Sequence, residues 1–152
     1  MENSGDALKE AAKAAQLLVA SGADEADGQG MTALHIAAEA GAVDRVVALL
    51  AGGASVNSGD AFGWVPLHFA ASNGHVACVR ALVDGGASVD AREAVRWTPL
   101  HMAAMNGRAE SVRALVELGA HERAVNDFGL SAAHVAARSG HVETTRVLAS
   151  FG

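Results

Sequence analysis

A chain of 152 residues with 51% apolar content has the size of one domain and enough apolar side chain for a core, which excludes intrinsic disorder. Its 11 Lys and Arg against 17 Asp and Glu give a net charge of −6, so a nucleic-acid partner, bound by neutralising phosphates, is a poor fit. A single cysteine, Cys78, excludes an internal disulfide and a cysteine-built structural zinc site. Aromatic residues make up only 4% and alanine occurs 35 times, a composition suited to closely packed helices. No run approaches the roughly 20 apolar residues of a membrane span, and Met1 to Ala7 lacks the basic start and apolar stretch of a secretory leader. The expectation is a soluble, intracellular, monomeric chain with no membrane partner.

The organisation lies in a period of 33 residues, kept by His35, His68, His101 and His134 and again by Gly41, Gly74, Gly107 and Gly140. Gly53, Gly86, Gly119 and Gly152 repeat at the same spacing. In chain order, residues 7–21 align in register with the second helix of a unit, Leu18 and Val19 matching Leu49 and Leu50, so residues 1–26 are expected to form a capping helix and loop. Units 27–59, 60–92, 93–125 and 126–152 follow, the last cut short.

Each unit reads alike. Thr32, Thr98 and Ser131 sit where a helix N-cap hydroxyl belongs, and Pro66 and Pro99 occupy the first turn, where a missing N–H costs nothing. A short helix runs through an Ala-Ala pair to Gly41, Gly74, Gly107 or Gly140, a residue suited to the left-handed turn that ends helices. A second helix follows, with apolar positions at helical spacing such as Val43, Val46, Val47, Leu49 and Leu50. The remaining loop of about a dozen residues is expected to form a two-stranded finger.

Thr98-Pro99-Leu100-His101, Gly74-His75 and Leu49-Leu50 leading to Gly53-Ala54 are similar to the TPLH, G-H and L-L-x-x-G-A motifs of ankyrin repeats, and residues from about 27 to 152 resemble that family. The resemblance implies an all-α solenoid of stacked helix-turn-helix units with β-hairpin finger loops, whose fingers and inner helices form a concave face. Stacking is also what the physics asks, since one unit cannot bury its own apolar face. Thr144, Thr145 and Ala149 stand where Cys78, Val79 and Val83 do, which suits an end without a further neighbour. Some positions depart from the pattern. Val65 replaces a capping Thr, at a cost on the order of 0.5–2 kcal/mol, and Ala132-Ala133 replaces Pro-Leu. Glu122 and Arg123 replace Val89 and Asp90, and Arg96 stands where Gly30, Gly63 and Gly129 mark a turn that requires positive φ.

Seven histidines invite a metal or catalytic reading, but four hold one repeat position three residues after the cap, where a ring bonds back to the cap hydroxyl or backbone. His75 and His141 follow the interhelical glycine, His121 is a lone loop residue, and no i, i+4 or HExxH pairing is present. Cys78 is read as a half-buried structural thiol. No phosphate loop or nucleophile elbow occurs, so no catalytic residue, cofactor or metal is expected.

The aromatics are placed unevenly. Phe62, Trp64, Trp97 and Phe128 fall in the finger loops, Phe69 is read as core, and Phe151 ends the chain. Met31, Val95 and Leu130 share the finger positions, and Met105 ends an inner helix on the side that the family's geometry gives the fingers. Arg92, Arg96 and Arg138 flank the row as a polar rim. These residues are the expected contact set for a protein or peptide partner, since exposed apolar patches mark interaction sites. Trp64 and Trp97 equally suit packing finger against finger. Two other readings stay open: a regulatory inhibitor docking on an enzyme such as a protein kinase, and a structural or designed scaffold.

Overall fold

The computed structural model describes residues 24–151, so the capping helix expected over residues 7–21 lies outside the described residues. Within them eight helices follow one another in four pairs: α1 (Ala33–Ala40) with α2 (Val43–Ala51), α3 (Pro66–Ser72) with α4 (Val76–Asp84), α5 (Pro99–Met105) with α6 (Ala109–Glu117), and α7 (Ala132–Arg138) with α8 (Val142–Phe151). The boundaries follow from the residues at each end. Thr32, Thr98 and Ser131 are extended, and each hydroxyl accepts the N–H of the histidine three residues on. Val65 has no such acceptor, and there the His68 N–H bonds the Val65 carbonyl at 3.0 Å. Gly41, Gly74, Gly107 and Gly140 turn left-handed at φ 74°, 74°, 67° and 78°, which closes each first helix and starts the second two residues later.

First helices pack on first helices along the row and second on second, giving two layers with the core between them. Leu34, Leu67 and Leu100 from the first layer meet Val46, Val79, Val112, Leu49, Leu82 and Leu115 from the second, all buried. Each such leucine contributes roughly 1.5–3 kcal/mol relative to exposure. The buried alanines Ala37, Ala38, Ala70, Ala71, Ala103 and Ala104 let the short first helices approach closely. Three details differ from the sequence reading. Cys78 is fully buried, not half-buried, and that burial pushes its thiol pKa up. Phe69 is only half-buried, because it lies at the seam between α1 and α3, its ring edge-on to His35 at 5.8 Å.

The third concerns the fingers. No strand forms among the described residues. Each finger is a tight turn, in which the Asp60 N–H bonds the Trp64 carbonyl at 2.9 Å and the Gly63 N–H bonds the Asp60 carbonyl at 3.0 Å. The reciprocal Trp64 N–H, which a hairpin ladder would pair with the Asp60 carbonyl, is taken by the Asp60 side chain instead.

Arg96 has φ 66°, the one positive value at a non-glycine residue among the described residues, in the register of Gly30, Gly63 and Gly129. Its ion pair with Asp127 spans 4.0 Å between half-exposed side chains and offsets little of the strain. Arg96→Gly is therefore expected to stabilise the chain by up to about 1 kcal/mol in urea unfolding. A loss of stability would show that the Asp127 pair outweighs the strain.

Candidate functional site

Finger geometry is set by one side chain per unit, at a position the sequence reading passed over. Asp27, Asp60, Glu93 and Asn126 each use a single oxygen to accept two backbone N–H groups, two and four residues on. Asp60 Oδ1 takes Phe62 and Trp64, both at 2.9 Å, and Glu93 Oε1 takes Val95 and Trp97, both at 2.8 Å. Neighbouring fingers are tied by backbone bonds from Ala61 to Gln29, Ala94 to Phe62 and Asp127 to Val95, at 3.0, 3.0 and 3.1 Å. The residue at each tip thus has its backbone fixed and its side chain directed outward. Phe62 is 67% exposed, Phe128 68% and Val95 39%.

Two residues further on, the environment changes. Met31, Trp64, Trp97 and Leu130 are half-buried. The Trp64 ring lies 5.0 Å from Phe69 and 5.9 Å from His68, and the Trp97 ring lies 5.8 Å from His101. The carbonyls of Trp64, Trp97 and Leu130 accept hydrogen bonds from His35, His68 and His101 Nε2 at 2.8, 3.0 and 2.8 Å. The single row read from the sequence is therefore two rows, tips outside and pre-cap residues against the repeat. Of the other expected contact residues, Arg92, Arg96 and Arg138 are exposed, and Met105 is 43% exposed at the end of α5.

The histidines do more than cap their own helix. His68 Nδ1 accepts the Val65 N–H at 3.0 Å, and Nε2 faces the Trp97 carbonyl, so the ring is neutral with its proton on Nε2. His101 is arranged in the same way between the Thr98 N–H and hydroxyl and the Leu130 carbonyl. Each ring thus bonds a carbonyl 29 residues further on, in the following unit. A second series joins the loops: Asp24, Asn57 and Asp90 accept the N–H of Ser55, Ser88 and His121. Arg123 holds the fourth place in that series and carries no acceptor. The repeat spacing of 24, 57 and 90 was the signal that could have revealed it.

Burial pushes His68 and His101 below the ordinary imidazole value of 6.5; the Trp97 and Leu130 carbonyls oppose the shift and Arg92 adds to it at His101. A depressed folded-state value means that the unfolded chain binds the proton more readily. Stability is then complete above about pH 6.5 and falls as pH drops from there through the lowered folded values. Melting temperature is expected to be flat from about pH 8 to 7 and to decline as pH falls below about 6.5. An NMR titration showing these two rings protonating at or above 6.5 in the folded chain would contradict it.

Among the described residues, no three His, Cys, Asp or Glu side chains gather as a metal site would need. No helix there is long and apolar enough to cross a membrane. Helix pairs stacked in register, each ending in a tied finger, define a helical-repeat solenoid. The family model described as Ankyrin repeats (3 copies) matches residues 6–93 and 92–152, and the chain belongs to that family, whose members generally serve protein–protein interaction. No curated protein matches the chain.

Proposed function

We propose that the chain is a non-enzymatic binding module that seats a protein or peptide on the face made by its fingers and first helices. The observation that carries this reading is the pair of phenylalanine tips. Phe62 and Phe128 are about two-thirds exposed on a backbone that side-chain and interfinger bonds hold in place. Large apolar groups held rigidly in water gain nothing for folding there, whereas a partner that covers them recovers their burial energy without first ordering the loop. Val95 and Met105 continue the apolar surface, and Arg92, Arg96 and Arg138 stand around it. Met31, Trp64, Trp97 and Leu130 form the floor beneath the tips.

The test is a comparison of baits. Wild-type chain and the Phe62→Ala/Phe128→Ala double variant, both shown folded by circular dichroism, are used to retain proteins from a lysate. A protein held by the wild type and lost by the double variant supports the reading. Retention of the same proteins by both baits would count against it.

A further inference from the structure

Resting on that reading, the distribution of charge along the face names the kind of partner. The last turn of the first helix places Glu39, Ser72, Met105 and Arg138 at one repeat position, so that row passes from an anion to a cation along the stack. The loops follow the same trend. The first finger carries Asp24, Glu25 and Asp27 and no cation, whereas in the third Arg92 and Arg96 balance Asp90 and Glu93. Of the acids in these loops, Glu93 accepts the Val95 and Trp97 N–H groups, Asp90 accepts that of His121, and Asp127 lies 4.0 Å from Arg96, whereas one Glu122 carboxylate oxygen is buried without a partner. Arg92 and Arg138 have no carboxylate within ion-pair distance among the described residues.

Spacing supplies the second constraint. Helices packed side by side sit about 8–10 Å apart, and a chain in the extended polyproline II conformation advances about 3.1 Å per residue with three residues per turn, so one repeat corresponds to one turn of such a chain lying across the fingers, with every third side chain on the same face. Phe62, Val95 and Phe128 occupy one tip position in three consecutive units. We propose that this face takes a peptide segment in the extended polyproline II conformation with apolar side chains at every third residue, seated on the tips, and an acidic end lying against Arg92 and Arg138. The acidic end lies away from Glu25 and Glu39, which repel it, and this fixes the direction in which the segment lies along the stack.

A displayed library of random linear dodecapeptides, panned on the full chain, provides the probe. The expected result is enrichment of sequences with apolar residues at i, i+3 and i+6 and Asp or Glu clustered toward one end. A synthetic copy of the most enriched peptide should bind Arg92→Glu/Arg138→Glu at least tenfold more weakly than wild type, and the difference should shrink with added salt as surface charges are screened. Both substitutions lie on exposed side chains, and Arg138→Glu alone serves should the double variant fold poorly. Enriched peptides without the acidic end, or an affinity indifferent to the charge reversal, would overturn the proposal. If such peptides still require Phe62 and Phe128, the finger-face reading survives; if they do not, it falls as well. Failure to enrich any peptide over a target-free control overturns the peptide proposal and leaves a folded partner as the occupant.

Discussion

His101→Ala is expected to cost about 2–5 kcal/mol of folding free energy, the range of a large buried truncation. The ring is 1% exposed and joins the Thr98 cap to the Leu130 carbonyl of the following unit. Its removal leaves a cavity and orphans buried backbone groups, each costing about 1–3 kcal/mol when unpaired. It also weakens an interface between units, and in a linear array the interfaces carry much of the cooperativity. His134 supplies the internal control. It caps its own helix through Ser131, with hydrogen bonds of 3.0–3.3 Å, but it is exposed and its Nε2 has no partner among the described residues. His134→Ala should therefore cost under about 1 kcal/mol, as an exposed substitution with a minor capping role does. Urea unfolding of both variants checks this, and equal losses would mean that the bridge between units contributes nothing beyond the cap.

Truncation of either phenylalanine tip is expected to act on binding and not on folding. Phe62→Ala and Phe128→Ala should each weaken the partner complex by roughly 2 kcal/mol or more, the scale of an interface anchor. Exposed positions away from packing change stability by only about 0.5 kcal/mol, so the unfolding midpoints should stay near that of the wild type. The finger backbone should also hold its shape, because Asp60 and Asn126 accept main-chain N–H groups that survive the truncation. Titration of each variant against a retained partner, with denaturation of the same sample, separates the two quantities. A large loss of stability at unchanged affinity would remove these residues from the binding face.

The fold was readable because the features that set it are local and repeated. A capping hydroxyl, an alanine pair and a left-handed glycine recur every 33 residues, and each predicts its own helix end without reference to the rest of the chain. The positive φ of Arg96 followed for the same reason, from its place among three glycines. What the repeats alone did not reveal depends on which neighbour a group reaches. The histidines were readable as caps, but their second bond is to a carbonyl one unit on, and nothing near His35 in the chain marks Trp64 as its acceptor. The expected hairpins are closed turns, since one carboxylate or amide oxygen takes the N–H four residues on that a ladder would have paired with backbone, and the tip N–H besides. The finger aromatics formed one row on paper because spacing gives their positions and not their directions. Phe62 and Trp64 are separated by a single residue, Gly63 at φ 80°, and that turn sends one ring into water and the other against Phe69.

That divergence carries the account of function, and a single paired experiment addresses it. Phe62→Ala and Trp64→Ala are titrated side by side against the protein retained by the wild-type bait, and the melting temperature of each is recorded. Phe62→Ala is expected to lose affinity at an unchanged melting temperature, whereas Trp64→Ala melts lower because its ring supports His68 and Phe69. Full affinity in Phe62→Ala, together with lost affinity at an unchanged melting temperature in Trp64→Ala, would contradict it.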